Sequence, residues 1–419
     1  MWYNERRNAR ARLSAAPFLQ EDDMEIRRDG IRILKNPQRK ERPKAAFTEE
    51  KAQEALRFHR SLPAYGETAL RSLDALAKSL RLGGIFVKDE SSRFGLNAFK
   101  GLGGSYALFR VLCERFGLDP RKTNFADLLQ EPYRTKCRAV EFTTATDGNH
   151  GRGVSWAAGL FGCRAHVFMP AGSAEARRRA IEEVGFEAEA VITPYNYDGA
   201  VAHAARLAEE NGWILVQDTS WEGYEEIPAR IVQGYLTLGN EAVRQLAGTA
   251  PTHVILQAGV GAMAGGLTDY LAHAFEKRPV FILAEPDEAN CLYRSLEAGD
   301  GRIRIVEGNP ETEMAGLNCG TPCGVTWPVL RDETDFACAL TDEVTEEGMR
   351  LYAQPLGNDP KIVSGESGAV TLGLAARIAR DAELRKLFGV TEDSVFLLVS
   401  TEGDTDPDNY RRITATYPL

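Results

Sequence analysis

The sequence predicts an α/β protein with two open, twisted, mainly parallel sheets flanked by helices. Three observations carry this expectation. From Ile85 onward, short apolar runs alternate with patterns of helical period. Some of the runs, AHVFMP among them, are of the type buried on both faces, as strands of parallel sheets are. The unusual loops, TDGNHGRG, QDTSWEGY, QAGVGAMAGG, EPDEAN and STEGDTD, all follow strands. That is where open parallel sheets bind their ligands.

In chain order, GIFVKDE reads as a strand and LGGSYALFRVLCERF as a helix, with Tyr106, Leu108, Val111, Leu112 and Phe116 along one apolar side. AVEFTTA is the next strand, and Gly-Asn-His-Gly opens the helix GVSWAAGLFG. AHVFMP precedes the helix SAEARRRAIEEVG, with Ser173 as N-cap and Gly185 as stop. AVIT, YDGAVAHAARLAEENG, ILVQD, RIVQGYLTLGNEAVRQLA, THVILQAG, AMAGGLTDYLAHAF and VFILAEP continue the alternation. GAVTLGLAARIARDAELRKLF and SVFLLVSTEGDTD close it. Residues 286–340, rich in Gly, Pro, Asn and Cys, read as long loops.

The 419 residues suffice for two domains. A net charge of −10 argues against nucleic acid or an anionic membrane as partner. No apolar run approaches the ~18 residues of a spanning helix. The basic first 44 residues, interrupted by Glu21, Asp22 and Asp23, read as a solvated arm. Seven scattered cysteines suit a reducing cytoplasm, and no metal site is expected, because Cys319-Gly-Thr-Pro-Cys323 has no second ligand pair nearby.

Four constellations carry chemistry. Gln257-Ala-Gly-Val-Gly-Ala-Met-Ala-Gly-Gly266 joins a strand to a helix, so Gly259, Val260, Gly261, Ala262 and Met263 can cradle a phosphate. The bland alternative is close helix–strand packing. Thr143-Thr-Ala-Thr-Asp-Gly-Asn-His150 gathers Thr144, Thr146, Asp147, Asn149 and His150 in one turn. There Asn149 can donate to a phenolate while hydroxyls and helix N–H groups hold a carboxylate. An Asx turn would explain only one of these polar residues. Asp218 either caps its loop or offers a second carboxylate. Near the end, Glu366 can favour a helix N-terminus, and Ser400 or Thr401 can meet a heteroaromatic nitrogen.

Lys100, in RFGLNAFKGLGGSY, completes the set. One amine, a phosphate cradle, an amide donor and carboxylates together fit pyridoxal phosphate, whose ring accepts the electrons of a Cα carbanion. Attack on an aldehyde needs the neutral amine, so Phe99 and the following helix N-terminus are expected to lower its pKa. The glycines after Lys100 are expected to leave room for the ring.

With KDESSRFGLNAFKGLGG, TTATDGNHGRGVSWAA, QDTSWEGYEEIP, QAGVGAMAGG, NDPKIVSGESGAV and VSTEGDTD, the chain resembles fold-type II pyridoxal-phosphate enzymes of the tryptophan synthase β-like superfamily. Within these it is most similar to the diaminopropionate ammonia-lyases, over residues 63–406. Threonine and serine dehydratases share the lysine motif, but the phosphate loop and STEGDTD depart from their patterns.

The resemblance implies a carbon–nitrogen lyase that eliminates ammonia from D- or L-2,3-diaminopropionate. Lys100 would hold the cofactor, with Asp147 and Asp218 as the catalytic acids and bases. It further implies an arm over 1–45, a large domain of 46–109 plus 253–419, a small domain over 110–252, and a homodimer. A dehydratase of the same fold and a non-catalytic cofactor-binding protein are the other readings.

Overall fold

The computed structural model describes residues 25–415 other than Arg42, Asp147 and Asn309. Twelve strands are found among them: β1 (Glu25–Arg28), β2 (Ile31–Lys35), β3 (Leu70–Ser72), β4 (Gly84–Asp89), β5 (Glu141–Ala145), β6 (Arg164–Met169), β7 (Ala188–Ile192), β8 (Ile214–Leu215), β9 (His253–Gln257), β10 (Val280–Pro286), β11 (Phe336–Leu340) and β12 (Val395–Ser400). Eight form one sheet in the order β1-β2-β11-β10-β9-β12-β4-β3. Its five central strands run parallel, and β1, β2 and β3 add antiparallel edges. The other sheet, β7-β6-β5-β8, is parallel throughout. Every residue of β9 and β11 is buried, as expected of strands covered on both faces.

Several expectations need correction. Of the arm anticipated over 1–45, residues 25–35 build the antiparallel hairpin at one sheet edge, with Ile31, Ile33 and Leu34 buried. The stretch 286–340 is not all loop: it contains the helices Cys291–Glu297 and Trp327–Glu333 and the strand β11. Ser173 caps nothing: the N-cap position is Ala174, and the helix Glu175–Val184 starts two residues after Ser173. Gly185 does end that helix, as expected, with an extended backbone. The long helix expected over 368–388 breaks at Asp381, whose carboxylate accepts from the N–H groups of Glu383 and Leu384 and starts a second helix.

Three helices position the site. The lysine helix Gly101–Phe116 packs against the asparagine helix Asn149–Phe161 and the long helix Glu226–Gln245. The contacts are backbone against backbone. A Cβ on Gly153 would stand 2.9 Å from the carbonyl carbon of Lys100, and one on Gly234 would stand 2.5 Å from the Leu102 oxygen.

The loop leading to Lys100 is anchored by charges wholly out of water. Arg93 grips Glu241 through two nitrogens at 2.9 and 2.7 Å and Glu90 through two at 2.8 Å. Lys88 Nζ donates to Glu241 at 2.6 Å and to the Thr68 carbonyl at 2.7 Å. Two cations face two carboxylates, all four buried. Burial pushes the Glu241 carboxyl up, but Arg93 and Lys88 outweigh it and hold it below its ordinary value. Glu241→Ala would leave Lys88 without a carboxylate and Arg93 with Glu90 alone, so urea unfolding should show a loss of ~3–5 kcal/mol. Arg206→Ala, which removes an exposed pair with Glu210, should cost under ~0.5 kcal/mol.

Candidate active site

The carboxyl ends of strands from both sheets open on one cavity. β9 delivers Gln257 and the Gly259–Met263 turn, β12 delivers Thr401 and Glu402, and the segment after β4 delivers Phe99 and Lys100. Thr146, Asn149 and His150 arrive after β5, and Asp218 after β8. A crevice beyond strand ends is where this architecture binds ligands.

The phosphate loop is built for close approach. Gly261 takes φ 85°, a backbone that L side chains rarely adopt, and a Cβ there would lie 2.7 Å from Leu330. A Cβ on Gly259 would crowd Cys319 Sγ at 3.1 Å. The helix Ala262–Ala274 then begins, and its first N–H groups have no partner within the helix. They turn a positive dipole end toward the cavity, a setting that suits an anion.

Lys100 Nζ donates to Asp218 Oδ2 at 2.5 Å and lies 5.5 Å from the centre of the Phe99 ring. Burial pulls the amine down, yet the Asp218 carboxylate outweighs it, and Lys100 is held above its ordinary value. This overturns the expected lowering: Phe99 and the helix N-terminus are both in place, but a carboxylate at contact distance dominates them. Burial likewise pushes Asp218 up, and His150 and Lys100 bring it down to about 2. His150 Nε2 donates to the Val216 carbonyl at 2.8 Å, leaving Nδ1 at 3.7 Å from Asp218 with no hydrogen-bond partner. Burial lowers this imidazole's pKa, with the Asp218 carboxylate acting in the opposite direction.

The glycines after Lys100 do not make room for a ring. Gly101 faces Leu96, Phe94 and Trp156, Gly103 faces Tyr235 and Ile231, and Gly104 faces the Gly153 backbone. Their smallness serves helix packing.

Lys100, Thr146, Asn149, His150, Asp218, Gly259, Val260, Gly261, Ala262, Met263 and Thr401 all line the cavity. Thr144 does not: its hydroxyl, fully buried in β5, donates to Gln217 Oε1 at 3.1 Å. Ser400 does not either, because its hydroxyl donates to Ser364 at 2.8 Å. Thr401 does line the cavity, and its hydroxyl accepts from Gln257 Nε2 at 3.1 Å. Asp147 lies outside the described residues. Glu402, Gln257, Ser367, Tyr197 and Cys319 also line the wall without having been singled out. Three of these five, Gln257, Ser367 and Glu402, sit inside the segments QAGVG, SGESGA and STEGDTD.

An amine, a glycine cradle at a helix N-terminus and an amide donor around one cavity fit pyridoxal phosphate. The chain belongs to the pyridoxal-phosphate dependent enzyme family, whose model matches residues 61–400. Within that family it is similar to diaminopropionate ammonia-lyases. It is 46% identical over 368 residues to the Salmonella typhimurium enzyme, covering 86% of this chain and 91% of that one. The Escherichia coli diaminopropionate ammonia lyase in complex with D-serine superposes with a TM-score of 0.85 at 43% identity. The same enzyme with an aminoacrylate-PLP azomethine reaction intermediate gives 0.84 at 43%. Each structural match covers 92% of this chain and 96% of the other.

Asp218→Asn should leave burial as the main influence on Lys100, moving the pH midpoint of the amine's reaction with pyridoxal phosphate down by ~1–3. A midpoint that stayed put would show that another group holds the ammonium.

Proposed function

We infer that this chain is a pyridoxal-phosphate-dependent lyase that eliminates ammonia from 2,3-diaminopropionate. With one water the substrate gives pyruvate and two ammonia. The observation that carries the reading is the Lys100–Asp218 pair facing the glycine cradle across one cavity, in a chain so similar to diaminopropionate ammonia-lyases. Pyridoxal phosphate, when bound, supplies an electron sink for the pair of electrons left at Cα.

The protein's own residues do the rest. Lys100 holds the cofactor and, once free, takes the Cα proton from one face. Asp147 takes it from the opposite face, because a base must be aligned with whichever C–H bond is presented. That division lets D and L isomers both react. Asp218, at about 2, is ionised at neutral pH, so it suits binding the substrate's distal ammonium better than donating a proton. Keeping that nitrogen protonated makes it leave as ammonia rather than as amide ion. The N–H groups after Gly261 bind the phosphate, and Thr146 with the start of the asparagine helix binds the substrate carboxylate. The three-carbon enamine that leaves tautomerises and hydrolyses in water.

The reading extends to a homodimer in a reducing cytoplasm. All seven cysteines are free thiols, which supports the compartment, and the likeness to fold-type II enzymes supports the dimer.

A pyruvate assay with D- and L-diaminopropionate, D- and L-serine and threonine side by side should show turnover of diaminopropionate well above the others. Faster turnover of threonine or serine would make it a dehydratase, and cofactor binding without pyruvate would make it a binding protein. Asp147→Asn should abolish activity on D-diaminopropionate and spare part of the activity on the L isomer. Equal losses on both would contradict the two-faced arrangement.

A further inference from the structure

Besides Asp218, one other carboxylate among the described residues lines the cavity, and the elimination gives it no task. Glu402, 4% exposed, sits just past β12. Its backbone is fixed from two directions: its carbonyl accepts from the Gly365 N–H at 3.1 Å, and it forms a bridge with Ala98, two residues before Lys100. Its side chain is placed as firmly. Oε1 accepts from the Ser367 N–H at 3.3 Å, while Oε2 accepts from the Asn149 side-chain amide and, at 3.5 Å, from the Thr405 hydroxyl.

The contact with Asn149 has a direction imposed by chemistry. An ionised carboxylate only accepts hydrogen bonds, whereas an amide offers nitrogen on one side and oxygen on the other. Opposite Glu402 the amide must present its nitrogen. One N–H is then used on Glu402, and the second N–H remains on the same nitrogen, beside the cavity that Asn149 lines. A neutral side chain at 402 with both donor and acceptor would tolerate either orientation.

We propose that Glu402 is a positioning residue that locks the Asn149 amide so that an N–H, not a carbonyl, is offered to the ring hydroxyl of pyridoxal phosphate. The proposal rests on the reading of the cavity as a pyridoxal-phosphate site. A donor there stabilises the ionised ring oxygen, while a carbonyl turned the same way would repel it. The neighbouring Glu366 fits this arrangement. Burial first, and then the Glu402 charge, push its carboxyl up to about 7. Its Oε1 accepts from the Asn409 amide at 2.5 Å.

The test uses the full chain loaded with pyridoxal phosphate at one fixed pH, as wild type, Glu402→Gln, Glu402→Ala, Asn149→Ala and the Asn149→Ala/Glu402→Gln double variant. Two quantities are read: cofactor Kd and the ratio of the visible absorbance band, given by the ionised ring oxygen, to the ultraviolet band of the un-ionised form. Both Glu402 variants should lower that ratio and weaken cofactor binding ~10-fold, the size of one hydrogen bond to a charged group. In the Asn149→Ala background, Glu402→Gln should add less than ~2-fold.

An unchanged ratio in Glu402→Gln overturns the proposal, even if Kd or the thermal midpoint falls. An equal effect with and without Asn149 overturns it as well. If Glu402→Ala does not fold, Glu402→Gln, which keeps the side-chain volume, decides. Wild-type protein that takes up no pyridoxal phosphate would instead contradict the reading of the cavity, and the assignment of Glu402 with it.

Discussion

The rest of the structure depends on how closely the lysine helix approaches its two neighbours. Gly104 meets Gly153 on the asparagine helix, and Gly234 on the long helix meets Leu102, with backbone and no side chain between them. Interiors pack too densely to absorb an added methyl where a Cβ would fall within 3 Å of main chain. This approach places Lys100 beside the turn after β5, so one helix from each side of the crevice is fixed against the other. The amine, the Asn149 amide and the phosphate loop then face one space as a consequence of packing.

Electrostatics completes what packing begins. Behind the cavity, Arg93, Lys88, Glu90 and Glu241 balance one another out of water and hold the incoming loop. Inside it, Lys100 and Asp218 form a second pair whose attraction exceeds the cost of burying the amine. The two pairs differ in consequence. The first has every charge matched, and the loop it holds is fixed. The second sets an ammonium against a carboxylate where the chemistry needs a neutral amine, so loading the cofactor requires Lys100 to give up a proton that Asp218 helps to retain.

Much of this was legible because loops that break periodicity stand out. The segments around Lys100, Asn149, Asp218, Gly259 and Thr401 interrupt apolar runs with glycine, hydroxyl and amide groups, and all of them meet at the cavity. What escaped depends on direction across space. Thr144 and Thr146 are two residues apart, yet the first donates to Gln217 and the second lines the cavity. Ser400 and Thr401 are adjacent, and only the side to which each turns at the end of β12 decides that Thr401 alone lines the cavity. The glycines after Lys100 looked alike from the sequence, because a glycine that admits a ligand and one that admits a helix have the same name. β11 was lost because FACAL is short and flanked by acidic residues, and burial on both faces leaves no alternation to detect.

The central claim is that the packing of the lysine helix delivers Lys100, and no other lysine, to the cofactor. Lys88 lies nearby in sequence but is fully buried and bound to Glu241. The direct measurement is to load the protein with pyridoxal phosphate, reduce it with borohydride and map the modified peptide by mass spectrometry. The account predicts one pyridoxyl group per chain, on Lys100. A group found stoichiometrically on another lysine, with Lys100 unmodified, would contradict it.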